Sequence, residues 1–201
     1  MRFGMLINLK KCIGCNACTV ACKSQNATPA GINFNKVKKY EVGTYPSVKL
    51  KHMPMPCMHC ANPTCMAVCP TGATQRSEDG FVTVDANKCI GCRACMTGCP
   101  YDARHFLFEI KPYYEGQDFT PFEQLKQKNY QKGTVIKCNG CMDRVREGLE
   151  PACVHTCIAG ARFFGDLDDP NSEINHMINS QGATPFHPEL GTQPSVYYIQ
   201  G

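Results

Sequence analysis

Sixteen cysteines constrain this chain of 201 residues more than any other feature, because they fall into four groups of four with none left over. Each group opens with Cys-x2-Cys and closes with Cys-x3-Cys, and only the spacing between its second and third cysteines differs. The groups are Cys12, Cys15, Cys18, Cys22; Cys57, Cys60, Cys65, Cys69; Cys89, Cys92, Cys95, Cys99; and Cys138, Cys141, Cys153, Cys157.

Disulfides, zinc and iron–sulfur clusters are the three interpretations that such a cysteine pattern allows. An even count is compatible with disulfides, but repeated Cys-x2-Cys pairs are more typical of redox-active or metal-binding sites. Zinc sites usually take two such pairs that are far apart in the sequence. KCIGCNACTVAC and KCIGCRACMTGC instead follow the iron–sulfur run C-x2-C-x2-C-x3-C, and a proline follows the second and third groups. The sequence therefore predicts four [4Fe–4S] clusters.

The charge of the chain changes when these clusters are included. The formal net charge is +4 at pH 7 with neutral cysteines. A [4Fe–4S] core held by four thiolates carries about −2, so four of them bring the protein to about −4. Lysine-rich stretches such as KVKK at 36–39 then indicate a solvated strand face. We expect no nucleic-acid partner.

The middle of the chain has the plan of a complete two-cluster ferredoxin. Two cysteine runs are separated by a turn at Glu78-Asp79-Gly80 and a β-branched strand, FVTV. In such ferredoxins the first three cysteines of a run hold one cluster and the fourth holds the other. We therefore expect Cys57, Cys60 and Cys65 to pair with Cys99, and Cys89, Cys92 and Cys95 to pair with Cys69.

The two outer groups repeat these halves in the opposite order. MRFGMLINLKKCIGCNAC is similar to GFVTVDANKCIGCRAC, and CIAGARFFGDL repeats the Gly-Ala step of CPTGATQ. They predict a second, permuted ferredoxin unit whose halves are separated by the inner one. In it, Cys12, Cys15 and Cys18 should share a cluster with Cys157, and Cys138, Cys141 and Cys153 should share one with Cys22.

The predicted fold class is α+β, with two nested ferredoxin-like units and a small core stapled by the clusters. We expect a β-hairpin over 34–53, a helix opened by a capping box at Thr120, a helix over 171–179 and a final strand at SVYYI. The expected boundaries are 1–27 plus 134–170 for the outer unit, 54–110 for the inner unit, 28–53 for the hairpin insertion, 111–133 for a second insertion with a short helix, and 171–201 for a C-terminal tail.

Few other residues suggest chemistry. His59 and His155 lie inside cysteine runs and could be ligands, but sixteen cysteines already supply every position, so hydrogen bonds near a sulfur are the better interpretation. The gap between Cys141 and Cys153 predicts a helical turn. That segment is either a tolerated loop or a partner-docking knob bearing Arg144 and Arg146.

The order of the four runs resembles the four-cluster iron–sulfur subunit of molybdopterin oxidoreductases, such as polysulfide, thiosulfate, arsenate and dimethyl sulfoxide reductases. YEVGTYP, PACVHTC with GDLDDP, and GTQPSVYY extend the resemblance over nearly the whole chain. It implies a non-catalytic electron-transfer subunit between a molybdenum or tungsten catalytic subunit and a quinone-linked membrane or cytochrome partner. Ile158, where many relatives have proline, and a longer insertion from Lys111 to Lys132 depart from the pattern.

Three alternatives to this function remain open from the sequence. They are a cytoplasmic electron carrier of a formate hydrogenlyase or hydrogenase-type complex, a catalytic chain with an open iron, and a structural zinc module. The N-terminal stretch has neither an export pattern nor a twin arginine, and no apolar run is long enough to span a bilayer. We expect a peripheral protein on the outer face of the cytoplasmic membrane, exported with a signal-bearing partner, with a cytoplasmic location as the alternative.

Overall fold

Short helices and strands alternate along residues 1–200, the part of the chain that the computed structural model describes. The strands are β1 (Phe3–Asn8), β2 (Lys36–Val42), β3 (Lys49–Met55), β4 (Thr74–Arg76), β5 (Val82–Val84), β6 (His105–Phe106), β7 (Val135–Ile136), β8 (Arg162–Asp166), β9 (Thr184–Pro185) and β10 (Val196–Ile199). The helices are α1 (Ala17–Asn26), α2 (Thr64–Ala67), α3 (Ala94–Thr97), α4 (Pro121–Gln127), α5 (Met142–Arg146), α6 (Ala152–His155) and α7 (Glu173–Ser180), with a 3₁₀ turn at Pro188–Leu190. The mixture is that of an α+β protein.

One helix begins beside the third cysteine of every run. This cysteine is the second residue of α1, α2, α3 and α6, and the fourth cysteine follows one turn later. Because a helical turn separates them, the fourth cysteine can project to a different site from the first three. The common spacing Cys-x3-Cys is therefore the spacing of one helical turn.

The largest sheet joins the two ends of the chain, with the strand order β8-β1-β10-β9. β1 is parallel to β10 and antiparallel to β8, with Met5 opposite Val196 and Leu6 opposite Phe163. The C-terminal tail thus supplies a central strand to the sheet that also contains the start of the chain. The sequence analysis did not anticipate this strand order.

The two faces of this sheet pack against different elements, as the alternation of side chains along β1 requires. Leu6, on one face, packs with Ile174 of α7 and with Ile199. Ile7, on the other face, packs with Tyr198 and with methionines at 53, 55 and 58 around Cys57. These side chains are buried, so apolar packing supports the cysteine runs from one side.

Several local predictions are confirmed. β2 and β3 form the expected antiparallel hairpin. Val82–Val84 of the motif FVTV form β5, which pairs with β4, and Val196–Ile199 of SVYYI form β10. The helix expected over 171–179 is α7, whose cap is the Ser172 hydroxyl accepting from the Asn175 N–H. Among residues 1–200, we find no helix with the length and apolar character needed to cross a bilayer.

The segment 111–133 folds back onto α1. Thr120 and Glu123 form the predicted capping box at the start of α4. The hydroxyl of Tyr113 donates to the carbonyl of Thr28 at 2.7 Å, and that of Tyr130 donates to the carbonyl of Asn26 at 2.7 Å. These bonds fix the segment to the end of the first cysteine helix.

The eleven-residue gap in the fourth run contains α5 and contacts the turn between β4 and β5. Arg146 forms an ion pair with Asp79, in the turn between β4 and β5, with a shortest N–O distance of 2.8 Å. The Nε of Arg144 donates to the carbonyl of Glu150 at 2.9 Å. Both arginines therefore have partners within the chain, which favours the loop interpretation over the docking knob.

Candidate electron-transfer centre

Four cavities in the structure are each bordered by four cysteines of one expected site. We name each set after the first cysteine of the run that contributes three. The sets are the Cys12 set (Cys12, Cys15, Cys18, Cys157), the Cys138 set (Cys138, Cys141, Cys153, Cys22), the Cys57 set (Cys57, Cys60, Cys65, Cys99) and the Cys89 set (Cys89, Cys92, Cys95, Cys69). The structure thus brings together the same four cysteines that the internal repeat assigns to each site.

The fourth cysteine of each run crosses to another run. Cys69 and Cys99 exchange places between the two middle runs, and Cys22 and Cys157 exchange places between the first and last. Cys22 and Cys157 are 135 residues apart in the sequence. α1 and α6 pack against each other to bring these two cysteines across.

The four cavities fit a compact group with several metal ions better than a single ion. Within residues 1–200, no three His, Cys, Asp or Glu side chains converge closely enough to hold one metal ion. Four thiols around a cavity are the donor set of a [4Fe–4S] cluster.

Backbone N–H groups point at several of the sulfurs. The amides of Gly140, Thr74 and Ala161 donate to the sulfurs of Cys138, Cys69 and Cys157 at 3.4, 3.4 and 3.3 Å. Such bonds stabilise the thiolate form, which is the form that binds metal. The residues present therefore fit the four [4Fe–4S] clusters that the cysteine count implies.

The second spacer residue of every Cys-x2-Cys pair has a positive φ. Glycine supplies it at 14, 91 and 140, with φ near 70° in each case, where other residues are strained. At Gly14 there is a second constraint, because a Cβ would overlap the imidazole ring of His52. The close neighbour of Gly14 is thus a side chain of the β2–β3 hairpin.

His59 occupies the same position in the second run, with φ of 42°. Its ring is buried, and Nδ1 accepts a hydrogen bond from the N–H of Val82 at 3.0 Å. Burial, reinforced by the charges of Lys137 and Arg104, holds the pKa of His59 well below its usual value. The ring is therefore neutral with its proton on Nε2, an atom that has no partner and belongs to a ring bordering the Cys138 cavity. His155, by contrast, is exposed.

Burial is the main cause of the raised pKa of several cysteine thiols. It raises the pKa of Cys60 to about 12, and the neighbouring Cys57 adds to the rise. It raises the pKa of Cys138 to about 12 as well, again with Cys57 contributing, and that of Cys22 higher still. At Cys69 burial acts in the same direction, but hydrogen bonds from Thr74 and Thr71 outweigh it and lower the pKa. Metal binding must therefore release protons from the thiols of the Cys57 and Cys138 sets.

Contacts between the sets place them in a row. Cys18 and Cys153 pack together, which joins the Cys12 set to the Cys138 set. Cys57 also borders the Cys138 cavity, which joins that set to the Cys57 set. Arg104 donates to the sulfur of Cys65 and lies beside Cys95, so it joins the Cys57 and Cys89 sets. The order is Cys12, Cys138, Cys57, Cys89.

The two sets at the ends of the row each have a cysteine that is exposed to solvent. Cys15 of the Cys12 set and Cys92 of the Cys89 set are exposed, whereas the other fourteen cysteines are buried or half-buried. Exposed apolar side chains accompany both ends, namely Ile13 and Ile158 at one and Ile90 at the other.

The sequence analysis missed three basic residues that are buried beside the cysteines: Arg104, Lys137 and Arg162. A signal for the two arginines was available, because each stands five residues after the fourth cysteine of its run. Lys137 directly precedes Cys138, but lysine also precedes Cys12 and Cys89, so position alone would not have distinguished it.

Comparisons with known proteins agree with this site. Two family models described as 4Fe-4S dicluster domains match, one over residues 48–109 and 108–167 and the other over 11–73. The arsenate respiratory reductase iron-sulfur subunit ArrB of a Shewanella species is 37% identical, over 100% of this chain and 97% of its own length. A subunit of the selenate reductase of Mesobacillus selenatarsenatis is 43% identical, over 97% of this chain and 70% of its own length. A subunit of the tetrathionate reductase of Salmonella typhimurium is 39% identical, over 98% of this chain and 72% of its own length.

Proposed function

Since this chain belongs to the iron–sulfur subunits of molybdopterin oxidoreductases, we propose that it relays electrons between a molybdopterin catalytic subunit and a quinone-linked membrane or cytochrome partner. Each [4Fe–4S] cluster, when bound, takes up and releases one electron. The protein's part is to hold four of them in a row and to present the two ends to different partners. The chemistry on the respiratory substrate belongs to the catalytic partner.

We assign the ligands by the four cysteine sets. In each set three thiolates come from one run and the fourth from another, so each ferredoxin-like unit ties two runs together. The outer unit is built from the first and last runs, and the inner unit lies between them in the sequence. The cavity that Cys57 shares with the Cys138 set supports a junction between the two units.

The single observation that carries the proposal is the exposure of one cysteine at each end of the row, Cys15 and Cys92. A chain of buried sites with two accessible ends suits transfer between two partners rather than reaction with a soluble substrate. We assign the Cys12 end to the catalytic subunit and the Cys89 end to the quinone-side partner.

Substitutions at the exposed isoleucines test this assignment. Ile13→Glu and Ile158→Glu should abolish co-purification of the catalytic subunit, because a carboxylate replaces an apolar contact beside the Cys12 set. Ile90→Glu should release the membrane partner instead. Leu125→Glu is the matched control, since Leu125 on α4 is 60% exposed and Ile13 is 61% exposed. If substitutions beside the Cys12 set and beside the Cys89 set released the same partner, the assignment would be wrong.

The location follows from the partners. We propose that the folded protein, with its clusters, is carried to the outer face of the cytoplasmic membrane by a catalytic subunit with a twin-arginine signal. Cell fractionation with and without that subunit tests this. Recovery in the cytosol alone, while the catalytic subunit is present and exported, would contradict it and would favour the hydrogenlyase-type alternative.

A further inference from the structure

Three basic side chains are buried beside the cysteine sets. Arg104 is 2% exposed, Lys137 is 7% exposed and Arg162 is 4% exposed. None of them forms a salt bridge with Asp or Glu within residues 1–200. A buried charge is costly unless an opposite charge lies close to it. Each of these cations therefore needs an anionic partner that is not a carboxylate.

Arg104 lies between the Cys57 and Cys89 sets. Its Nη2 donates to the sulfur of Cys65 at 2.9 Å, and its Nη1 donates to the hydroxyl of Thr74 at 3.1 Å. Its charge also acts on Cys95. Its Nε is buried and has no partner among the protein atoms.

Arg162 lies in the corresponding place between the Cys12 and Cys138 sets. It borders the Cys12 cavity, and Cys153 and Cys18 are the thiols whose charge acts on it most strongly. Its Nη2 donates to the side-chain oxygen of Asn35 at 2.9 Å. Its Nε, like that of Arg104, is buried without a partner.

Lys137 lies at the remaining junction, between the Cys138 and Cys57 sets. Its ammonium group donates to the carbonyls of Val82 and Cys138. Burial raises the pKa of both Cys138 and Cys65, and the charge of Lys137 opposes that rise at both. Its charge therefore acts on one cysteine of each neighbouring set. With the two arginines, every junction in the row has one buried cation.

The positions of the arginines follow the internal repeat. The fifth residue after the fourth cysteine of each run is Ala27, Thr74, Arg104 or Arg162. Each ferredoxin-like unit thus has one arginine and one small residue at this position, and all four are buried. In the inner unit the two are in contact, since Arg104 donates to Thr74.

We propose that Arg162, Lys137 and Arg104 are the counter-charges of the row, each offsetting the repulsion between two adjacent anionic clusters and holding the reduction potentials of both higher. This rests on the four-site row proposed above. A cluster bound by four thiolates carries about −2, and reduction adds a further negative charge. A fixed cation in a medium of low dielectric constant favours the more negative, reduced form. Because arginine stays charged at all relevant pH values, its effect is permanent.

Redox titration of the purified four-cluster protein, followed by electron paramagnetic resonance, tests this. Arg104→Gln should shift the oxidised-to-reduced ratio of two clusters toward oxidised by about tenfold or more, which is about 59 mV for a one-electron couple. Arg162→Gln should shift the other two clusters, and Lys137→Gln should shift one cluster of each pair. Arg104→Lys should keep values close to the unsubstituted ones. Arg76→Gln, at an exposed arginine of the same unit, is the control and should shift none.

Iron content separates the possible outcomes. If Arg104→Gln loses iron while Arg104→Lys keeps it, the charge is required, as proposed. If both variants lose iron alike, the shape of arginine matters and its charge does not, which overturns the proposal. Unchanged potentials in Arg104→Gln with full iron content would overturn it too. If the unsubstituted protein itself lacks four clusters, the proposed function fails, and that result is distinct from the others.

Discussion

The side chain of Cys157 borders the same cavity as that of Cys12, although the two cysteines are 145 residues apart in the sequence. β1 precedes the first run and β8 follows the last run. The two are adjacent strands of one sheet, so their pairing holds the two runs together. The nesting that we propose for the two ferredoxin-like units depends on this closure. It also makes the ligand assignment testable by pairs of substitutions.

Double substitutions distinguish shared from separate sites. Cys15→Ala and Cys157→Ala should remove the same cluster, so the double variant should lose about four iron atoms, the same as either single variant. Cys141→Ala with Cys157→Ala should lose about eight, because these two cysteines belong to different sets. Iron analysis of the purified variants gives the answer. If the first double variant lost about eight iron atoms and the second about four, Cys157 would belong to the cluster of its own run.

Total metal content is the next expectation. The intact protein, purified without oxygen, should contain about sixteen iron atoms and about sixteen acid-labile sulfides per chain. Elemental and sulfide analysis measure both. Stoichiometric zinc without labile sulfide would restore the structural zinc module and remove the electron-transfer role.

Removal of the clusters should destabilise the fold unevenly. α2, α3 and α6 have four residues each, too few to persist without the thiolate–iron bonds at their ends. Leu6, Ile174 and Ile199 form an apolar cluster away from the cysteines, so β1, β10 and α7 should retain more protection. Hydrogen exchange before and after iron chelation should show this order. Uniform loss of protection would contradict it.

The cap of α4 provides a test of local stability apart from the cysteines. Thr120→Ala removes the hydroxyl that accepts from the Glu123 N–H and should cost about 1 kcal/mol in the stability of this segment. Thr120→Ser keeps the hydroxyl and is the control. Hydrogen exchange of residues 121–127 measures the change, and iron content should remain the same in both variants.

Local features of the fold could be predicted because each rests on a short-range rule. The capping box at Thr120, the hairpin of β2 and β3, and the helix capped by Ser172 all depend on residues within a few positions of one another. The grouping of cysteines around cavities was predictable for a different reason. The internal repeat shows which halves correspond, so it substitutes for distance information.

Long-range pairing explains what the sequence analysis missed. Nothing local in SVYYI indicates that β10 lies parallel to β1. The sequence of a single strand does not reveal which distant strand it pairs with. The buried cations were missed for a related reason. Arg104 and Arg162 share a position five residues after a fourth cysteine, but their burial becomes visible only once the cysteine sets surround them. The ion pair of Arg146 with Asp79 likewise depends on how the runs pack.

The central claim is that four [4Fe–4S] clusters stand in one row whose ends are the Cys12 and Cys89 sets. Anomalous diffraction at the iron edge, from crystals of the cluster-loaded protein grown without oxygen, tests it most directly. The account predicts four separate iron sites in the order Cys12, Cys138, Cys57, Cys89, each bonded to the four cysteines of its set. A compact arrangement in which every site neighbours every other, or a site bonded to all four cysteines of a single run, would contradict it.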